Sequence, residues 1–178
     1  MKRSRITVAV FVLGIAMITG LAVASFAAGG RETGVTTPTG FDLPALQGTG
    51  RVRLAAYRGR PVVVTLFASW CTACQEELPA YADAATSLRG QVQFIAVDTH
   101  ETGDGAAFAA HYHLAQAGFA LAKDIDQAST GGLYAALAAR GLPLTAFYSA
   151  DGQLLFKANE ALTSAELRGA LRQYAGVV

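Results

Sequence analysis

The chain has 178 residues, of which 52% are hydrophobic and 15% charged, with a net charge of +1. That length builds one domain with a full hydrophobic core plus appendages, and leaves no room for a second domain of similar size. No long basic run and no aromatic-interleaved Lys/Arg patch is present, which speaks against nucleic acid as a partner.

Lys2, Arg3 and Arg5 precede an uncharged apolar stretch, Ile6 to Ala28; without these three, 11 basic and 13 acidic residues leave a charge of −2. As a helix the stretch is roughly 35 Å long, enough to cross a hydrocarbon core with some tilt. The basic flank predicts a single-pass anchor in the cell membrane, with a cytoplasmic N-terminus and an extracytoplasmic remainder. The alternative is a cleavable signal peptide and a secreted protein, since Ala22-Val23-Ala24 fits a small-residue cleavage site. The length of the run favours the anchor. Gly29 to Gly40, rich in Gly, Thr and Pro, reads as a linker, and the folded domain is expected from Phe41 to Val178.

Arg51 to Leu54 has the look of a short strand, followed by a turn at Arg58-Gly59-Arg60-Pro61. The run PVVVTLFAS is β-branched, aromatic and not alternating, which predicts a strand buried on both faces. After it, Leu78, Tyr81, Ala82, Ala85 and Leu88 recur at helical spacing, with Gly90 as a C′ residue. Val92 to Val97 is a second buried strand, followed by a polar loop, THETGDG, and a helix from about Ala106 to His113. Phe119 to Ala122 reads as a strand and Gly132 to Ala139 as a helix. Leu144–Tyr148 and Gln153–Lys157 form a hairpin through Asp151-Gly152. Thr163 and Glu166 make a capping box, with Leu162 and Leu167 as its hydrophobic staple, for a final helix to about Tyr174. Alternating strands and helices that end in a hairpin and a helix predict an α/β sheet covered on both faces.

Cys71 and Cys74, in ASWCTACQEELP, are the only cysteines. As a brace they would close a loop too short to remove much unfolded-state entropy. A structural zinc site needs four ligands; the other soft donors are His100, His111 and His113, and there is no second CxxC. The third reading is chemical. The first turn of a helix offers free N–H groups and a positive dipole end that favour a thiolate, and residues one turn apart can pair. Cys71 is then the nucleophile and Cys74 the resolving thiol. Pro79 lies inside the same helix and is expected to bend it near Gln75. Trp70 is either plain core or a shield for one side of the thiol.

Trp70-Cys71-Thr72-Ala73-Cys74 with Pro79 resembles the thioredoxin active site. Phe41 to Val178 as a whole is similar to the bacterial TlpA/ResA-like (redoxin, AhpC/TSA-type) membrane-anchored thiol-disulfide oxidoreductases of the thioredoxin superfamily. Three features carry that branch: Glu77, three residues after Cys74; the segment between VQFIAV and KDID, which resembles a helix-bearing insertion; and Gly141-Leu142-Pro143-Leu144-Thr145 ahead of FYSADGQLLF. The resemblance implies a thioredoxin-like fold, in which a central mixed sheet is flanked by helices on both faces. It also implies no cofactor, a cis-proline at Pro143, and a docking surface of Trp70, Leu142 and Pro143. Thr65 departs from the pattern, standing where thioredoxin keeps a buried aspartate, so Glu77 becomes the implied proton carrier for Cys74.

The implied partners are exported proteins bearing disulfides or dithiols, a CcdA/DsbD-type membrane electron donor and, as one substrate, apocytochrome c. Two other functions compete. A peroxiredoxin-like peroxidase would need a threonine three residues before the reactive cysteine, where this chain has Ala68. A binding module or holdase on the same scaffold would leave the cysteines without a use.

Overall fold

A computed structural model describes residues 40–125 and 132–177. The predicted anchor or signal helix, and the linker up to residue 39, lie outside the described residues. Among the described residues, no helix is long and apolar enough to cross a membrane. The chain opens with an antiparallel hairpin, Asp42–Pro44 (β1) and Arg51–Arg53 (β2), tied at its surface by Arg51 and Arg53 to Asp42. A 3-10 turn, Leu54–Tyr57, leads into Val62–Phe67 (β3).

All six side chains of β3 are buried, as its unalternated apolar sequence requires. A 16-residue helix, Thr72–Ser87 (α1), returns the chain to Gln93–Asp98 (β4), which pairs parallel with β3. Two short helices follow, Gly105–His111 (α2) and Leu114–Ala117 (α3), then the parallel strand Ala120–Lys123 (β5) and a short helix, Leu133–Ala136 (α4). Leu144–Tyr148 (β6) lies antiparallel to β3, and Leu154–Ala158 (β7) antiparallel to β6. The last helix, Ser164–Ala170 (α5), continues as a π-helical turn, Leu171–Ala175. The five-stranded sheet therefore runs β5-β4-β3-β6-β7, with β3 at its centre.

Strand alternation sorts the core into two layers. Val63, Phe67, Phe94, Ala96 and Phe147 meet α1, α2, α3 and α5 through Leu78, Tyr81, Ala109, Leu114 and Leu167. Val62, Val64, Leu66, Ile95, Val97, Leu144 and Ala146 form the other layer with Leu43, Val52, Leu54, Leu133 and Leu137. Helices were expected on both faces. They lie on both, unequally: among the described residues the second face carries the short α4 beside the β1–β2 hairpin and the 3-10 turn.

Three local expectations are corrected. The helix predicted over Ala106 to His113 breaks, because His113 adopts φ +54° and re-aims the chain so that Leu114 enters the core. The helix predicted over Gly132 to Ala139 shrinks to α4, since Ala138 takes φ +49° and Lys157 Nζ donates to the Leu137 carbonyl at 2.6 Å. Gly90 is not the residue that follows the cap: α1 ends at Ser87, and Gly90, at φ +84°, closes the turn from which Gln91 and Val92 both donate to the Leu88 carbonyl. Pro79 lies inside α1 as expected, and the helix continues eight residues beyond it.

Candidate active site

The end of β3 delivers the cysteines. After Phe67 the chain turns, with Cys71 N–H donating to the Ala68 carbonyl at 3.1 Å, and Cys71 becomes the N-cap of α1. Its Sγ accepts the Cys74 N–H at 3.1 Å, the position that a Ser or Asp oxygen takes in an ordinary cap. Cys71 and Cys74 form a disulfide of 2.04 Å, with Cα atoms 5.2 Å apart. Cys71 keeps 5% exposure and Cys74 none, so an incoming group meets Cys71. On reduction, the helix-end N–H and dipole favour negative charge on the outer sulfur.

Glu77 lies one turn beyond Cys74 and is buried, unlike most helical glutamates. It accepts a hydrogen bond from Thr65 Oγ1 at 3.3 Å and one from the Leu162 N–H at 3.1 Å. Burial pushes its carboxyl up to about 7, with those two donors pulling it part of the way back. Thr65 and Thr145 are cross-strand partners, and Thr145 Oγ1 pairs with Tyr81 OH at 2.7 Å. Burial and the neighbouring Glu77 keep that phenol neutral. A polar seam thus runs inside the apolar layer beneath the cysteines. A carboxyl carried by α1 thus accepts from the hydroxyl of the β3 threonine.

Trp70 is 53% exposed, so it is not core, and its indole N–H donates to the His100 carbonyl at 2.8 Å. The Leu142–Pro143 peptide is cis. Leu144 pairs with Leu66, so Pro143 sits at the end of β3 that leads to Cys71. Leu142 is half-buried and packs against both core layers.

Sequence reasoning passed over the loop that follows β4. Glu101 accepts from Ser69 N–H at 2.7 Å and Ser69 Oγ at 2.6 Å, and from the N–H groups of Thr102 and Gly103 at 2.8 and 2.7 Å. Burial works against its charge, but these donors outweigh it and hold the carboxyl down at about 2. The available signal was the density of polar residues, Asp98-Thr99-His100-Glu101, directly after a buried strand. Among the described residues, no group of three or more His, Cys, Asp or Glu could hold a metal.

The sequence model of the AhpC/TSA family matches residues 34–156. Comparison with curated protein sequences finds no match. Among solved structures, a secreted Mycobacterium tuberculosis disulfide oxidoreductase homologous to E. coli DsbE aligns at 24% identity over 75% of this chain and 95% of its own, with a TM-score of 0.59. M. tuberculosis DsbF aligns at 20% identity over 75% and 94%, with a TM-score of 0.62. A putative thiol:disulfide interchange protein DsbE from Chlorobium tepidum aligns at 23% identity over 76% and 89%, with a TM-score of 0.55. These likenesses establish a thioredoxin-like fold.

Proposed function

The chain belongs to the AhpC/TSA family, and from that premise we propose that it is an extracytoplasmic thiol-disulfide oxidoreductase, held at the cell membrane by its N-terminal helix and acting on exported proteins. One observation carries the reading: a disulfide whose outer sulfur caps the N-terminus of a 16-residue helix, with a buried carboxyl one turn behind the inner one.

In the reducing direction, the Cys71 thiolate attacks a substrate disulfide. The S–S bond breaks, the departing substrate sulfur takes a proton, and a Cys71 mixed disulfide remains. Cys74 then gives its proton to Glu77 and attacks Cys71 Sγ, releasing the second substrate thiol and leaving the disulfide seen here. Two electrons pass to the substrate, and the same steps reversed oxidise it. A carboxyl near 7 is matched to accepting and returning that proton at neutral pH. Trp70, Leu142 and Pro143 form the docking surface around Cys71.

The basic flank and the apolar run at residues 6–28 support export and anchoring. Electrons for the reducing direction are assigned to a membrane dithiol donor of the CcdA/DsbD type, with apocytochrome c among the substrates. This assignment follows the TlpA/ResA resemblance. The peroxidase reading loses to Ala68, a fully buried methyl group where that chemistry needs a hydroxyl.

The test is covalent capture. Full-length Cys74→Ser protein, incubated with disulfide-bearing exported proteins, is expected to accumulate adducts through Cys71 that dithiothreitol releases. No adduct despite an alkylatable Cys71, or full cellular activity in Cys71→Ser/Cys74→Ser, would overturn the proposal in favour of a binding module.

A further inference from the structure

Two consecutive residues of the β4–α2 loop hold the two residues that precede Cys71: His100 through the Trp70 indole, and Glu101 through both the N–H and the hydroxyl of Ser69. His100 does so at φ +52°, a conformation that non-glycine residues adopt at a cost and that clusters at functional sites. Beneath this grip lies Asp98, the last residue of β4. Asp98 is 7% exposed, its Oδ1 has no hydrogen-bond partner, and the Glu101 carboxyl is among the charged groups that face it.

Two facing carboxylates repel when both are ionised, whereas a carboxyl and a carboxylate that share a proton attract. Glu101 is already committed as an acceptor to four donors, so the proton belongs on Asp98. Asp98 has little room to retreat, since a Cβ at Gly105, the first residue of α2, would overlap its carboxyl. The other charged groups facing it are Asp104 from the loop, which adds negative charge, and Lys123 from β5, which opposes it. His100, two residues on, engages Thr99 Oγ1 through its ring and packs against Tyr134.

We infer that Asp98 is a positioning residue for the nucleophile: by sharing a proton with Glu101 it holds that carboxylate against Ser69, and loss of the proton sets the two groups against each other and loosens the loop that presents Cys71. Burial, with Glu101 and Asp104 adding to it, pushes Asp98 up to about 7, which places the change in the neutral range. The inference rests on Cys71 being the nucleophile, but its test does not require exchange activity.

The test uses oxidised full-length protein, whose bonded cysteines do not titrate, and the fluorescence of Trp70, its sole tryptophan. Between pH 5 and 9 the wild type is expected to show a component centred near pH 7 that disappears in Asp98→Asn. Glu101→Gln removes the charge that raises Asp98 and moves the component to lower pH, while Glu77→Gln leaves it in place. The rate of disulfide reduction by a phosphine, taken as the ratio of Asp98→Asn to wild type so that the reductant's own titration cancels, is expected near one at pH 5.5 and at least threefold different at pH 8.5. Identical fluorescence curves for wild type and Asp98→Asn, or loss of the component in Glu77→Gln alone, would overturn the inference. Should Asp98→Asn fail to fold, an unmoved component in Glu101→Gln would do the same. A wild type that exchanges no disulfide at any pH, yet shows the component, would fault the functional reading and leave this one standing.

Discussion

Glu77 and Gly105 show how single residues carry the account. A glutamate in an amphipathic helix is ordinarily solvated, and the sequence offers only its spacing from Cys74 to single it out. Its burial follows from tertiary structure: the Leu162 N–H and the Thr65 hydroxyl come from segments 85 and 12 residues away. Glu77→Gln keeps the shape and removes the proton acceptor. Release of substrate from the Cys71 mixed disulfide is therefore expected to slow by about 100-fold at pH 7, the low end of a general-base contribution, as measured in single turnovers between pH 5 and 9. At Gly105 a methyl group would strike the Asp98 carboxyl. Gly105→Ala is expected to cost about 1–3 kcal/mol by urea denaturation, and to cost less in an Asp98→Ala background, where the clash is gone.

Elements governed by local chemistry were legible; those governed by distant contacts were not. The buried runs of β3 and β4 announced themselves by their lack of alternation. Asp151-Gly152 marked the β6–β7 turn, where Gly152 takes φ +77°. At α5 the capping box forms as read, with Thr163 Oγ1 accepting the Glu166 N–H and the Glu166 carboxylate accepting the Thr163 N–H. Both staple residues, Leu162 and Leu167, are buried. Thr163→Ala is expected to cost about 1 kcal/mol and Leu167→Ala about 2–5 kcal/mol, each read as a shift in denaturation midpoint. The break at His113 and the short α4 were not legible, because positive φ at His113 and Ala138 arises from packing that no local pattern encodes. The same holds for the active site: the cysteines and their helix could be read from spacing, whereas the grip of Glu101 on Ser69 joins residues 32 apart.

For the whole molecule, the shifted carboxyls set the pH range of stability. Glu77 and Asp98 are raised to about 7, so the folded state retains protons that the unfolded chain has already released above its ordinary carboxylate range. Their effect is a loss of stability as pH climbs from about 5 to about 8, levelling off beyond. Glu101 acts in the opposite sense: held down at about 2, it contributes stability above the ordinary range that vanishes as pH falls through 4 toward 2. Stability of the oxidised protein is therefore expected to peak near pH 5. A Glu77→Gln/Asp98→Asn protein is expected to lose the alkaline decline and so to gain on the wild type as pH rises from 5 to 8. Urea denaturation at pH 5 and pH 8 reads both; an equal decline in the double variant would refute the assignment.

The central claim, that Cys71 and Cys74 exchange electrons with partner thiols, is tested most directly by the midpoint reduction potential of the full-length protein, titrated in dithiothreitol and glutathione buffers and followed by thiol alkylation and Trp70 fluorescence. The account predicts a reversible two-electron transition that Cys71→Ser abolishes. A midpoint near thioredoxin's, about −270 mV, would identify a reductant, and one near DsbA's, about −120 mV, a disulfide donor. A pair that shows no reversible transition across that range would contradict the account.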